Sequence, residues 1–206
     1  MDIDKLDHKI KSYFDDEADT YDTAKAGQFS RDIGKYMINV IRSVDFQEFL
    51  DIGCGTGRLA EQILDLKPQV KACAIDFSPR MIEIARLRLP KRVDVRLSDV
   101  RQLSRWCDEE SFELIIGNDI LRYISEPEKL AREVYKALKD GGRFVLCEAS
   151  PVNALKNMRN LFSKDIAQKP MVEEDIRDIL TDAGFYIVNY TKLDDGICLI
   201  TGHKRA

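Results

Sequence analysis

Residues Phe49 to Gly57 read Phe-Leu-Asp-Ile-Gly-Cys-Gly-Thr-Gly and are the most informative segment of the sequence. Its first half is apolar enough for a buried strand. Apolar residues with helical spacing follow it, at Leu59, Ala60, Ile63 and Leu64. The glycines let the backbone turn tightly and approach a ligand closely, and the start of the next helix offers free N–H groups. The stretch therefore predicts a strand, a turn that holds an adenosine-type ligand, and a helix.

The spacing of the glycines separates two kinds of nucleotide site. Here it is G-x-G-x-G, whereas dinucleotide-binding domains carry G-x-G-x-x-G beneath a pyrophosphate. Asp51 precedes the glycines, and a carboxylate there would repel a pyrophosphate but attract an ammonium or sulfonium group. This spacing argues against a nicotinamide-dependent oxidoreductase.

Residues 51–57 closely resemble the first motif of the class I S-adenosylmethionine-dependent methyltransferases. The resemblance implies that the loop passes under the methionine and ribose portions of S-adenosylmethionine, with Asp51 near the methionine end. The loop residues that it assigns to the cofactor are Gly53, Cys54 (through its backbone), Gly55 and Gly57.

A second buried strand, residues 70–76, ends in Asp76. A carboxylate about 20 residues beyond the glycines can accept hydrogen bonds from both ribose hydroxyls. Phe77 is placed to pack on the adenine, and Ser78 is predicted to cap a helix that begins with Pro79. The run from Asp76 to Met81 resembles the second motif of the same family.

The third strand, residues 93–97, is followed by Asp99 and Val100. At this place in the family an acid bonds the adenine amino group, and the backbone of the next residue supports the ring. The resemblance therefore assigns both residues to the cofactor, although Asp99 could also be a turn-forming acid.

The fourth strand, residues 112–116, opens into a polar segment that holds Asn118, Asp119 and Tyr123. In an open parallel sheet, ligands bind outside the carboxyl ends of the strands. We therefore expect the methyl acceptor to meet the cofactor here, with Asn118 also touching the cofactor. DNA amino-methylating relatives carry two prolines and an aromatic residue in this segment, and this chain does not, which argues against DNA as substrate.

The N-terminal region, residues 1–45, is predicted to be a helical cap, followed by a methyltransferase domain over residues 46–206. Tyr21 and Asp22 match a Tyr-Asp pair of the small-molecule branch of the family, in which this region folds over the cofactor and the tyrosine reaches its methionine end. An ordinary connector between two helices is the alternative. Residues 149–170 are either a substrate lid or an amphipathic surface helix.

The C-terminal part predicts how the sheet closes. A fifth strand ends in Glu148 at the ligand rim, a helix covers residues 173–183, and two further strands follow at 185–190 and 197–201. A closing hairpin adds one antiparallel strand to a parallel sheet. The predicted fold is α/β, a Rossmann-like seven-stranded mostly parallel sheet with one antiparallel C-terminal strand, helices on both faces and the N-terminal helical cap.

Composition limits the classes of protein that remain. A chain of 206 residues with 44% hydrophobic and 33% charged residues suits one soluble globular domain. The net charge of −4 disfavours general nucleic-acid binding, and no apolar run is long enough to span a bilayer. The five cysteines are odd in number, show no metal-binding spacing, and no export signal precedes them. They indicate reduced thiols in a cytoplasm and no metal site.

The sequence thus predicts methyl transfer from S-adenosylmethionine to a small molecule by in-line displacement, in a monomer or homodimer. The overall layout resembles the branch that includes the ubiquinone/menaquinone-biosynthesis methyltransferases. Tyr21, Asp119 and Tyr123 are the candidates for a catalytic role. Two alternatives stay open: a non-catalytic module or partner subunit that binds the cofactor, and a methyltransferase of RNA or protein that uses the basic residues between Arg86 and Arg105.

Overall fold

The computed structural model describes residues 3–149, 171–193 and 196–206. Its α-helices are α1 (Ile3–Glu17), α2 (Lys25–Arg42), α3 (Arg58–Leu66), α4 (Pro79–Arg88), α5 (Pro127–Ala137) and α6 (Glu173–Asp182). Its strands are β1 (Glu48–Ile52), β2 (Lys71–Asp76), β3 (Asp94–Leu97), β4 (Phe112–Asn118), β5 (Leu138–Ala149), β6 (Ile187–Lys192) and β7 (Ile197–His203). Beyond Ala149, the lid proposed for residues 149–170 lies outside the described residues.

All seven strands form one sheet in the order β3-β2-β1-β4-β5-β7-β6. The pairs from β3 to β5 are parallel, and β7 pairs antiparallel with both β5 and β6. Because β6 opposes β7, it runs in the same direction as β5, which leaves β7 as the antiparallel strand. The predicted fold class is confirmed.

The chain reverses its direction of winding at β1, whose neighbours are β2 on one side and β4 on the other. At such a switch point the loops that leave adjacent strands diverge and open a crevice at the carboxyl ends of the strands. The glycine loop leaves β1 at this point.

Two apolar layers cover the faces of the sheet. Successive strand residues point to opposite faces, so Phe49 packs with α2, α3 and α4, whereas Leu50 packs with α5 and α6. Both side chains are fully buried. A strand covered on both faces needs apolar residues at nearly every position, which explains the continuous apolar run that precedes Gly53.

The N-terminal region has two unlike parts. The residues Ile33, Met37 and Ile41 of α2 repeat every four positions and are fully buried in the layer beneath the sheet. In contrast, α1 packs through Leu6 and Ile10 against aromatic side chains at the carboxyl end of the sheet. Within residues 1–45, α1 is therefore placed as a cover, and α2 belongs to the core of the α/β unit.

Two local features concern the starts of α4 and β5. The N–H of Met81 donates to the Ser78 hydroxyl over 3.1 Å, which confirms the predicted cap of α4. Residues 139–143 belong to the long strand β5, within which Gly141 adopts φ +74° and the carbonyl of Gly142 accepts a hydrogen bond from the N–H of Lys204 over 3.0 Å. Among the described residues, no helix is long and apolar enough to cross a membrane.

Candidate active site

A cavity opens at the carboxyl ends of β1, β2 and β4, between the loops that leave these strands and the segment that joins α1 to α2. Nearly all of the residues predicted to bind cofactor or acceptor lie on its wall: Tyr21, Asp51, Gly53, Cys54, Gly55, Asp76, Phe77, Asp99, Val100, Asn118, Asp119 and Tyr123. Gly57 lies behind the wall, where a Cβ atom would stand 3.0 Å from the side chain of Leu89. Gly57 thus serves the turn into α3 and its packing on α4, and its contact with a ligand stays a prediction.

The glycine loop turns through left-handed backbone conformations that favour glycine. Gly53 has φ +65° and Gly55 has φ +54°. A Cβ atom on Gly55 would meet nothing within 4 Å, whereas one on Gly53 would stand 2.7 Å from the side chain of Ile120. The backbone of Gly55 therefore faces open space in the cavity, where a ligand can approach it.

Asp76 holds the shape of this loop. One of its carboxylate oxygens accepts a hydrogen bond from the N–H of Gly55 over 2.9 Å, and the other accepts from the N–H of Ser78 over 2.9 Å. Burial raises the pKa of Asp76 to about 6, and these backbone hydrogen bonds oppose the rise. Asp76 thus joins the loop after β1 to the end of β2 and stays on the cavity wall.

Asp51 is the most deeply buried acid on the wall, at 1% exposure. Burial, with the nearby charge of Asp76 second, raises its pKa to about 8. Its Oδ2 atom has no hydrogen-bond partner among the described residues. A buried oxygen of this kind is costly unless a ligand or a proton satisfies it, so the geometry suits a cationic group beside Asp51.

The cavity as a whole is acidic. Its wall carries six aspartates and three arginines, which are Asp7, Asp22, Asp51, Asp76, Asp99 and Asp119 against Arg31, Arg58 and Arg101. Arg58 and Arg101 are paired with acids at the same wall. The surplus of carboxylates favours a cationic ligand and opposes a pyrophosphate.

Asp99 is held by a neighbouring arginine. Its carboxylate accepts hydrogen bonds from the backbone N–H and the guanidinium of Arg101, which also pairs with Asp7 of α1 at 2.6 Å. Burial works to raise the pKa of Asp99, but the hydrogen bonds from Arg101 outweigh it and keep the pKa below its usual value. Asp99 lies on the cavity wall, and its bond to adenine stays a prediction.

Aromatic rings cover the cavity from the N-terminal side. Phe14 of α1 lies with its ring centroid 6.1 Å from that of Tyr21, 6.4 Å from Phe77 and 5.1 Å from Tyr123, each in an edge-to-face arrangement. Burial raises the pKa of Tyr21 well above its ordinary value, so its phenol stays protonated. These rings give one end of the cavity an apolar cover.

Polar side chains at the end of β4 and after it in the chain form the other end of the cavity. The side-chain amide of Asn118 donates to the carbonyl and hydroxyl oxygens of Ser30, both over 2.9 Å. Asp119 pairs with Arg122, and Glu148 accepts hydrogen bonds from the N–H groups of Ile120 and Leu121 over 3.0 and 3.2 Å. Sequence reasoning did not single out Arg122, because nothing in the local pattern distinguishes it from a solvated arginine.

These features define a class: a Rossmann-like methyltransferase fold with a glycine loop and acidic strand ends at its switch point. Residues 45–192 match the methyltransferase domain family, and the chain belongs to that family.

Among curated proteins, the chain is 26% identical to the demethylmenaquinone methyltransferase of Renibacterium salmoninarum, over 95% of this chain and 91% of that protein. It is 28% identical to the malonyl-[acyl-carrier protein] O-methyltransferase of Hahella chejuensis, over 66% of this chain and 48% of that protein. The match thus spans about half the length of the malonyl-[acyl-carrier protein] relatives.

Solved structures share the fold at low sequence identity. Human N-acetylserotonin methyltransferase in complex with SAM superposes with a TM-score of 0.67 at 19% identity, covering 87% of this chain and 55% of that one. A SAM-dependent methyltransferase from Aquifex aeolicus superposes with a TM-score of 0.66 at 18% identity, covering 82% and 88%. At these identities the likeness shows the architecture alone.

Proposed function

We propose that this protein transfers a methyl group from S-adenosylmethionine to a small-molecule acceptor by in-line displacement. The observation that carries the proposal is the acidic cavity at the switch point, where the glycine loop meets the buried acids Asp51 and Asp76. S-adenosylmethionine carries an ammonium and a sulfonium group, so it matches the excess of carboxylates on the wall. Family membership supports the same activity.

The residues of the cavity match the chemical groups of this cofactor. The unpartnered oxygen of Asp51 would accept from the ammonium group, and Asp76 would accept from the ribose hydroxyls. Gly55 leaves the open space that a closely approaching ligand requires. Phe77 and Val100 offer apolar surface for the adenine, with Asp99 at its edge. When bound, the cofactor supplies a methyl group that is already activated for transfer.

The protein's part in the transfer is to align the acceptor and exclude water. Well-oriented reactants can gain about 7–11 kcal/mol relative to free ones. The rings of Phe14, Tyr21 and Tyr123 provide a dry wall for this purpose. Tyr21, Asp119 and Tyr123 are the side chains proposed to meet the acceptor.

The acceptor class follows from the relatives that match most of the chain. The Renibacterium salmoninarum protein is named for demethylmenaquinone, and a Caenorhabditis elegans relative, 29% identical over 75% of this chain, is named for a polyprenyl benzoquinol. We therefore propose a small organic acceptor, as in the quinone-biosynthesis branch. We also propose a cytoplasmic location, since all five cysteines are free thiols, as reducing compartments favour.

Calorimetric titration with S-adenosylmethionine, S-adenosylhomocysteine and NAD tests the cofactor. We expect micromolar binding of the first two and none of NAD. Binding of NAD alone would refute the assignment of the glycine loop, and no binding of any of the three would refute the proposed activity. The variant Asp65→Asn, at an exposed position on α3, is a matched control for buried-acid variants.

A further inference from the structure

Asp119 stands in a backbone conformation that side chains seldom adopt. It has φ +58°, directly after the last residue of β4, and it is 7% exposed. Such a conformation costs free energy and persists only where the surroundings impose it, which is common at functional sites. Asp119 lies on the wall of the cavity at the carboxyl ends of the strands and also on the wall of a second, smaller cavity.

The two carboxylate oxygens of Asp119 have different surroundings. Oδ2 accepts a hydrogen bond from the buried guanidinium of Arg122, while Oδ1 is buried and has no hydrogen-bond partner within the described part of the chain. The guanidinium itself lies over the ring of Tyr123, 5.1 Å from its centroid. The ion pair holds one oxygen, and a buried oxygen without a hydrogen-bond partner is stabilised when it receives a proton.

Glu148 of β5 shares the smaller cavity with Asp119. Its hydrogen bonds to the N–H groups of Ile120 and Leu121 fix the segment that carries Asp119. Two buried carboxyl groups face one buried guanidinium here, so the cluster is electrically neutral only when one carboxyl keeps its proton. Burial, with the charge of Asp119 second, raises the pKa of Glu148 to about 8.

We propose that Asp119 is the catalytic base for methyl transfer, that Glu148 is the positioning residue that shares its proton, and that the acceptor is a neutral hydroxyl compound of the phenol type. This inference rests on the proposed function. As the acceptor oxygen forms its bond to the methyl carbon, its O–H bond breaks and the proton passes to Oδ1 of Asp119. The carbon–sulfur bond breaks with its electron pair remaining on sulfur.

The charge of the cluster selects the acceptor. A carboxylate acceptor is already ionised, needs no base, and would be repelled by Asp119. A phenol is protonated at neutral pH and donates to a carboxylate oxygen. The charged or titratable groups that face Asp119 are Arg122, Glu148, Tyr21, Tyr123 and Cys147. Burial raises the pKa values of the two tyrosines and the cysteine above their already high ordinary values, so Asp119 and Glu148 are the groups of this set that can exchange a proton with the acceptor.

The test uses two probes of equal shape and different charge, 4-nitrophenol and 4-nitrobenzoate, added at pH 6 to the protein saturated with S-adenosylhomocysteine. We expect 4-nitrophenol to bind at least tenfold more tightly than 4-nitrobenzoate, with a shift of its visible absorbance toward that of the phenolate. Tighter binding of 4-nitrobenzoate by the unmodified protein would overturn the acceptor class. This comparison uses only the unmodified protein, so its outcome does not depend on whether a variant folds.

The residue roles are tested by variants in the same assay. Asp119→Asn should abolish the absorbance shift and weaken 4-nitrophenol binding at least tenfold, while S-adenosylhomocysteine binding and the Asp65→Asn control stay unchanged. Glu148→Gln keeps the shape of the protonated side chain and an oxygen for the N–H groups of Ile120 and Leu121, so it should preserve the shift, whereas Glu148→Ala should weaken the shift. An unchanged shift in Asp119→Asn would overturn the base. If the unmodified protein did not bind S-adenosylhomocysteine, the proposed function itself would be refuted.

Discussion

Asp22, on the segment between α1 and α2, accepts a 2.9 Å hydrogen bond from the hydroxyl of Thr56 in the glycine loop. Its other carboxylate oxygen pairs with the guanidinium groups of Arg88 and Arg58. Burial works to raise the pKa of Asp22, but these hydrogen bonds outweigh it and hold the pKa below its usual value. A hydrogen bond and ion pairs of Asp22 therefore hold the N-terminal segment against the glycine loop and its neighbouring helices.

Replacing Asp22 with Asn should loosen this segment. Hydrogen bonds to charged groups are worth about 1.5–3 kcal/mol, and partial exposure of Asp22 reduces that. We expect faster proteolysis and amide exchange at residues 18–24 and weaker S-adenosylhomocysteine binding. Because the pKa is lowered by folding, the contribution of Asp22 is present above about pH 4 and lost as the pH falls further.

The control for this change is Asp32→Asn, since Asp32 is an exposed acid that pairs with Lys35 of the same helix. It should leave proteolysis and binding unchanged. Equal protection of residues 18–24 in both variants would contradict the role assigned to Asp22.

Gly55 and Gly57 form a matched pair for alanine substitution, because both have positive φ. Each change costs about 1–3 kcal/mol of backbone strain. The new methyl group at residue 55 would enter the open cavity, whereas at residue 57 it would press on Leu89. We expect Gly55→Ala to reduce S-adenosylhomocysteine affinity more than tenfold, and Gly57→Ala to lower the melting temperature further with a smaller loss of affinity. The opposite ranking would contradict the assigned roles.

The raised pKa of Asp51, about 8, makes both stability and ligand binding depend on pH. A carboxyl whose pKa is raised by folding stabilises the protein fully below its unfolded pKa of about 4, and this stabilisation is lost as the pH rises toward 8. A cationic ligand prefers the ionised carboxylate. The thermal shift produced by S-adenosylmethionine should therefore grow between pH 6 and pH 8.5.

Asp51→Asn provides the comparison for the pH effect. It should flatten the dependence of the ligand-free melting temperature on pH and reduce the growth of the thermal shift. A pH profile identical to that of the unmodified protein would place the titrating group elsewhere.

Asp76→Asn tests the proposed ribose contact while keeping one oxygen for the backbone. Since Asp76 accepts from both Gly55 and Ser78, Asp76→Ala would also release the loop and should cost more stability. We expect the Asn variant to weaken binding of S-adenosylmethionine and S-adenosylhomocysteine by about 1.5–3 kcal/mol. Unchanged calorimetric affinity for both ligands would disprove the ribose assignment.

The glycine loop, Asp76 and the cap at Ser78 could be predicted from sequence because their signals are local. Each depends on a strand end followed by a turn and a helix, within a few residues. The ion pair between Arg88 and Asp22 joins positions 66 residues apart, and no local sequence pattern predicts it. The same holds for the cluster of Asp119, Arg122 and Glu148, which only the pairing of β4 with β5 brings together.

The position of α2 in the fold could not be predicted from the sequence either. Apolar spacing predicted a helix, but the same spacing would serve a helix that covers a site or one that packs beneath a sheet. The structure has Ile33, Met37 and Ile41 fully buried against the strands, with the Cys147 thiol bonded to the Ile33 carbonyl. The helical cap proposed over residues 1–45 thus differs in role along its length.

Two truncations separate these roles. Removing residues 1–24 deletes α1 with Tyr21 and Asp22, and uncovers Phe77 and Tyr123 at the cavity. We expect this form to unfold cooperatively, with weaker S-adenosylhomocysteine binding. Removing residues 1–44 also strips α2 from the core, where burial of a single large apolar side chain is worth about 2–5 kcal/mol.

Because three such side chains of α2 are fully buried, the longer truncation should not fold, as judged by circular dichroism and gel filtration. The shorter form serves as its control. If removal of residues 1–44 left a cooperatively folded sheet, α2 would be a dispensable cover, and the buried contacts of Ile33, Met37 and Ile41 would contribute little to stability. If removal of residues 1–24 left ligand affinity intact, the aromatic cover would have no part in binding the cofactor.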